Sequence, residues 1–193
     1  MTFLGLVSHK KYQKWKNPTP FLSCFHFHER HESKSVNAPA RSMIQAVKSF
    51  DISDDVFIHT LSNIRNLPGY ILQKKSKNSN DRFNLSTFTI LKENDHEISF
   101  GLTGRFWQAD LGIIHQPNLE SFIRFDDNTS AKLVLRFLVK EHSNGHRSLI
   151  TETFAFCPTE QTKKLFTLYW LTIRVASGFI RKRMLSFIIK KFK

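Results

Sequence analysis

The segment from Pro158 to Phe192 constrains the fold more than any other part of the chain. Apolar residues recur through it at three- and four-residue spacing, with no proline after Pro158. Thr159 followed by Glu160 is a start signal: a threonine oxygen caps the first free amides, and the carboxylate favours the positive end of a helix. The spacing predicts one long helix. At about 1.5 Å per residue it would be the longest element, and it needs a surface on which to bury its apolar stripe. Plotted at about 100° per residue, Leu165, Leu168, Tyr169, Ile173, Ala176, Phe179, Ile180, Met184 and Phe187 form that stripe, with Lys163, Lys164, Arg174, Arg181 and Lys182 opposite. Leu171, Leu185 and Ile189 fall on the basic side, with Trp170 and Ile188 at its border, so the final turns mix apolar and cationic groups.

The residues before it supply that surface. Alternation over 25–36 predicts a first strand, with Phe25 and Phe27 on one side and His26 and His28 on the other, stopped by Asn37-Ala38-Pro39. Met43, Ile44, Val47 and Phe50, then Val56, Phe57, Leu61 and Ile64, recur at helical spacing and predict two short helices, the second ending at Leu67-Pro68-Gly69. A loop rich in lysine and asparagine over 74–81 leads into strands at 85–92, 97–103, 111–115, 131–141 and 147–157. Glu93-Asn94-Asp95 and Ser143-Asn144-Gly145 suit hairpins, because Asn and Gly accept the left-handed angles such turns need. The predicted class is α+β, an antiparallel meander with a long helix laid across it. Residues 1–20, with the turn-forming Asn17-Pro18-Thr19-Pro20, read as a loosely ordered basic arm. Residues 21–193 read as a single domain with a basic end to its last helix.

Composition narrows the function classes. Nineteen phenylalanines and 40% hydrophobic residues call for a packed core, and seven glycines with six prolines are too few for a linker protein. No stretch reaches the roughly 18 uninterrupted apolar residues of a membrane span, because Arg174 and Arg181-Lys182-Arg183 interrupt the best candidate. The first residues place apolar groups before the lysines, the reverse of a secretory signal, which points to a cytoplasmic protein. Cys24 and Cys157 stand far apart and are expected as plain buried thiols.

The net charge of +13 sits at the ends. Residues 1–28 hold four basic groups and no acid, residues 161–193 hold nine and no acid, and the middle is balanced. Such tails point to an anionic surface, unless they serve solubility alone. No nucleic-acid motif accompanies the charge, so nucleic acid is disfavoured and an anionic membrane surface is the favoured partner, giving a peripheral membrane location. In that picture Trp170, Leu185 and Ile189 enter the headgroup layer while Arg181, Lys182 and Lys190 meet phosphates; a partner-protein groove would suit the same mixture.

Gly101-Leu102-Thr103-Gly104-Arg105-Phe106-Trp107, Tyr169-Trp170-Leu171-Thr172-Ile173-Arg174 and Ser177-Gly178-Phe179-Ile180-Arg181 together resemble a bacterial branch of the SRPBCC superfamily, the START-like or Bet v 1-like helix-grip proteins. Glu29-Arg30-His31 leading to Val36-Asn37-Ala38-Pro39, Leu67-Pro68, the stretch 125–137 with Ala131-Lys132, and Thr151-Glu152-Thr153 extend the likeness over residues 25–184. The resemblance implies a curved antiparallel sheet wrapped around the long C-terminal helix. It also implies an interior cavity, which in the superfamily binds lipids, sterols, polyketides or plant hormones and in some members hosts cyclisation or dehydration. It implies no single reaction, so function rests on the polar groups of that cavity.

Alternation over 147–158 puts Ile150, Phe154 and Phe156 on one face, with Glu152 pointing inward among them. A carboxylate among phenylalanines must be paired or have its pKa raised by desolvation. Arg105 and Arg174 are the candidate partners, either fixing sheet to helix or gripping a ligand carboxylate or phosphate in a fork. His31, on the face of Phe25 and Phe27, would reach the cavity mouth, and Trp107 and Tyr169 belong to an aromatic set that lines the chamber or fills the core. His26, His28 and His31 do not make a convincing metal site, since only the first two share a face. No phosphate loop, His-Glu-x-x-His or nucleophile elbow is present, and no cofactor or metal is expected. These residues point to binding of a hydrophobic or amphipathic small molecule, with Arg105, Trp107, Glu152, Tyr169, Arg174 and His31 at the ligand. Two alternatives stand beside it. One is a cyclase or dehydratase in which Glu152 or His31 is the general acid or base and Arg105 stabilises a developing oxyanion. The other is an interaction module with a filled core.

Overall fold

The computed structural model describes residues 3–50, 88–108 and 110–192. In chain order its elements are α1 (His9–Gln13), β1 (Phe27–Glu32), α2 (Ala40–Lys48), β2 (Thr89–Glu93), β3 (Glu97–Gly104), β4 (Ile113–Ile114), α3 (Leu119–Arg124), β5 (Ala131–Glu141), β6 (Arg147–Phe156) and α4 (Glu160–Lys190). The second expected helix and the loop at 74–81 lie outside the described residues. The architecture is α+β. An antiparallel sheet of six strands runs in the order β1-β6-β5-β3-β2, with β4 paired to the end of β3.

Local chemistry explains where the strands start and stop. Asn94 Oδ1 accepts from the amides of His96 at 2.9 Å and Glu97 at 2.8 Å, closing the β2–β3 turn, and Gly145 supplies the φ of 76° that the β5–β6 hairpin needs. The strand expected over 111–115 shrinks to two residues, because Leu111 and Gly112 take left-handed φ values of 62° and 45°. The first strand becomes regular only at Phe27. Phe25 and Phe27 therefore part, contrary to the alternation: Phe25 packs on Phe154 at 4.9 Å and Phe27 on Phe166 at 4.8 Å, in clusters on opposite faces of the sheet.

Both faces are covered. Rows of inward side chains cross the strands in register on the α4 side: Leu102, Leu133, Ala155, Phe27; then Phe100, Leu135, Thr153, Glu29; then Ile98, Phe137, Thr151, His31. Phe166, Trp170, Leu185 and Ile188 of α4 and Met43 and Val47 of α2 pack on that face. The other face carries Val134 and Phe154, and is covered by Phe122 of α3 and by Val7, Leu22 and Phe25 of the N-terminal segment. Gly101 lets α3 approach: a Cβ there would lie 2.8 Å from the Phe122 ring. The basic N-terminal segment packs along β1 and over this second face. The Val7 amide donates to His26 O at 2.8 Å, Trp170 Nε1 donates to Leu4 O at 3.0 Å, and the Trp15 ring stands edge-on to Phe25 at 5.1 Å and His28 at 4.6 Å.

Helix α4 begins as expected, with Thr159 Oγ1 accepting from the Thr162 amide at 3.1 Å. Its buried stripe is not the expected one. Leu165, Leu168 and Phe179 are exposed, whereas Trp170, Leu185 and Ile189, expected at a membrane, are each at most 2% exposed in the core. The helix carries apolar groups around most of its circumference, so periodicity alone leaves its rotation open. Phe166, Trp170, Gly178, Leu185 and Ile188, which meet the sheet side, decide it. Among the described residues no helix is long and apolar enough to cross a membrane.

Candidate functional site

The inner face of the sheet, beneath the middle of α4, changes from apolar to polar along a single row. On β5, the middle strand, Leu135 is only partly buried, as is its neighbour on the same face, Leu133. A central strand flanked on both sides ordinarily hides such leucines completely, so these two keep an unusual share of exposure for their place in the sheet. Across the row from Leu135 stand Thr153 on β6 and Glu29 on β1. Thr151 and His31 occupy the next row.

Glu29 organises the polar end. Its Oε1 lies 3.0 Å from His31 Nε2, and its Oε2 lies 3.8 Å from Arg181 Nη1 of α4. Gly178 makes this approach possible, since a Cβ there would sit 3.2 Å from Glu29 Oε1. Burial pushes the Glu29 pKa up, but the His31 hydrogen bond and the charges of Arg181 and Arg174 outweigh it and hold the group below the ordinary glutamate value. Three oxygens on this face make no hydrogen bond although fully enclosed: Glu29 Oε2, Thr151 Oγ1 and Thr153 Oγ1. A buried polar group without a hydrogen bond costs about 1–3 kcal/mol; Glu29 Oε2 is compensated in part by the facing Arg181 charge, whereas the two threonine hydroxyls are not.

Glu152 lies on the opposite face. Its Oε2 accepts from Arg136 Nε at 3.1 Å and Nη2 at 2.7 Å, its Oε1 lies 3.2 Å from His28 Nε2, and the Arg136 guanidinium sits over the Phe154 ring at 5.0 Å. Arg136 Nη2 also donates to Asn17 O at 3.0 Å, tying the N-terminal segment to the sheet. Burial again raises the Glu152 pKa, and the His28 hydrogen bond with the Arg136 charge and hydrogen bond reverses the sign, leaving it lowered. Between segment and sheet opens a cleft of about 460 Å³ with Lys11, Lys14, Trp15 and Lys16 on its wall and Arg30, Leu138 and Ile150 on its floor.

The expected site residues are therefore divided. His31 meets Glu29, and Arg174 contributes charge to the same carboxylate. Trp107 and Tyr169 are partly buried rings packed against the same inner core, Tyr169 edge-on to Phe166 at 5.7 Å. Arg105 donates to Thr129 Oγ1 at 2.9 Å and lies 3.9 Å from Asp127; neither it nor Arg174 pairs with Glu152. Glu29 and Arg181 were not expected at the site. Strand parity held the clue to Glu29, which alternates in step with Phe27 and His31 but stands in so charged a stretch that it resembles a solvated surface. His26, His28 and His31 do not converge: His26 stacks on Phe156 at 5.6 Å and accepts from the Cys157 amide at 3.2 Å, while His28 and His31 serve different carboxylates. Among the described residues no group of three His, Cys, Asp or Glu side chains is placed to hold a metal ion.

No protein-family model matches the chain, and no curated protein matches it.

Proposed function

We propose that the protein binds an amphipathic small molecule between the sheet and α4, in a helix-grip arrangement, with the ligand's polar group on Glu29, Thr151 and Thr153 and its apolar body along Leu133 and Leu135. The observation that carries this is the row in which the partly exposed Leu135 is followed by Thr153 and Glu29, where the buried Thr153 Oγ1 and Glu29 Oε2 make no hydrogen bond. Trp107 and Tyr169 supply rings at the same core, and the long helix across one face of an antiparallel sheet is in keeping with the helix-grip resemblance. The Glu29 charge is already faced by Arg181 and Arg174, so a neutral head bearing a hydroxyl or carbonyl suits the site better than a free cation.

The test is Thr153→Val. Replacing an unmatched buried hydroxyl by a methyl of the same shape leaves the ligand-free fold as stable as before or slightly more so. Loss of one ligand hydrogen bond should weaken a fluorescent long-chain alcohol by about tenfold. Native mass spectrometry of the purified protein should show a retained amphipathic molecule. Unchanged probe affinity in Thr153→Val, with no retained molecule in the wild type, rules the site out.

A further inference from the structure

The outward face of α4 carries an apolar ridge that no described residue covers. Leu168 is 72% exposed, Val175 69% and Phe179 59%, with Leu165 and Leu171 at 42% and 41%. The steps Leu168, Leu171, Val175, Phe179 are three, four and four residues, so these side chains stand in one line down the helix, over a length of about 16 Å at 1.5 Å per residue. Scattered apolar side chains are ordinary on a protein surface, but an aligned row of large ones marks an interaction site. Cations bracket the row: Lys164 on the first turns and Lys182, Arg183 and Lys190 on the last are all exposed. Glu160 is the only acid on α4, and it pairs with Lys163 at 3.2 Å.

We propose that this face of α4 docks on an anionic lipid surface, lying in its plane with Leu168, Leu171, Val175 and Phe179 below the phosphates and the flanking lysines among them. Charge decides between occupants. A second copy of this face, in either direction along the helix, would set lysines against lysines, whereas an anionic bilayer satisfies both ends at once. A bilayer also needs no groove complementary to a convex ridge, and an acidic protein would. The geometry differs from a membrane contact through Trp170, Leu185 and Ile189, because those residues hold the helix to the sheet. The proposal does not depend on the ligand site beneath the helix.

Co-sedimentation of the full chain with vesicles of phosphatidylcholine containing about 30% phosphatidylserine, against phosphatidylcholine alone, tests it. At about 0.1 M salt, where charges act over roughly 10 Å, binding to the anionic vesicles should exceed that to neutral ones at least tenfold. Leu168→Ser/Val175→Ser/Phe179→Ser should lower it at least tenfold, and Lys164→Glu/Lys182→Glu by a similar factor, both with unchanged melting temperature because the altered side chains are exposed. Equal binding to both vesicles, no binding, or full binding by the triple serine variant overturns the proposal. So does a wild-type dimer in light scattering that the triple variant returns to monomer, since the ridge would then be a self-association face, and so does retained lipid binding by the lysine variant.

Discussion

Arg136 and Glu152 offer a sharp test of the packing described above, because both are almost wholly buried and neither can be removed alone without stranding the other. Arg136→Met keeps the length of the side chain and leaves Glu152 with only His28. At pH 7 the stranded carboxylate can escape by taking a proton, at about 1.4 kcal/mol for each pH unit above its unfolded value near 4.3. That route sets a cost of about 3.7 kcal/mol, inside the range of about 3–5 kcal/mol typical for breaking a buried pair. Glu152→Leu strands a guanidinium that cannot lose its proton, so it should cost at least as much, softened only by the Asn17 carbonyl and the Phe154 ring. For a chain of this length each kcal/mol lowers the melting temperature by about 2–4 °C, so either single variant should melt roughly 6–20 °C lower. The double variant Arg136→Met/Glu152→Leu should return to within about 1 kcal/mol of wild type, since no charge is left buried. Acid titration gives an independent sign. Glu152 has a lowered pKa in the fold, so its contribution is present above its unfolded value and lost as pH falls through the folded one. Wild type should therefore gain stability as pH rises from about 3 to 5, and Arg136→Met should gain less over the same window. Urea unfolding of the four proteins decides the matter: single variants each costing under about 1 kcal/mol, or costs that simply add in the double, would refute the coupling.

Two further outcomes follow from close packing and burial. Gly101→Ala should destabilise by about 1–3 kcal/mol in urea unfolding, because its Cβ collides with the fully buried Phe122 ring; a neutral result would mean α3 does not sit on that strand. Burial pushes the Cys157 thiol up to about 12, so the native protein should leave it unmodified by iodoacetamide at about pH 8 while the unfolded protein reacts at its ordinary rate; labelling without denaturant would contradict its position.

Features set by neighbouring residues were legible in the sequence. β5 spans the residues its alternation indicates, the Asn94 and Gly145 turns close as their chemistry requires, and the Thr159 cap starts α4. Features set by distant partners were not. Alternation shows that Glu152 shares a face with Phe154, yet only the register of β5 on β6 brings Arg136 opposite it, and only β1 brings His28. The rotation of α4 escaped for a related reason: with leucine and phenylalanine on every side, no single stripe stands out, and the sheet selects the one that places Gly178 over Glu29. His31 was singled out by its strand face and Arg174 as a partner for Glu152, yet both face Glu29 instead. Their shared carboxylate was hidden among charged neighbours.

The pairing of the first strand with the last has a consequence for biosynthesis. His28 and Glu152 meet across 124 residues of chain, and among the described strands β6 is the one that pairs with β1. On a ribosome adding about 5–20 residues per second, β1 and the lysine-rich stretch ahead of it must wait on the order of ten seconds for their partner to emerge. During that interval an aromatic edge with a strong positive charge is open to the anionic surroundings of the translating machinery. Lysines beside an exposed strand edge disfavour its pairing with another chain.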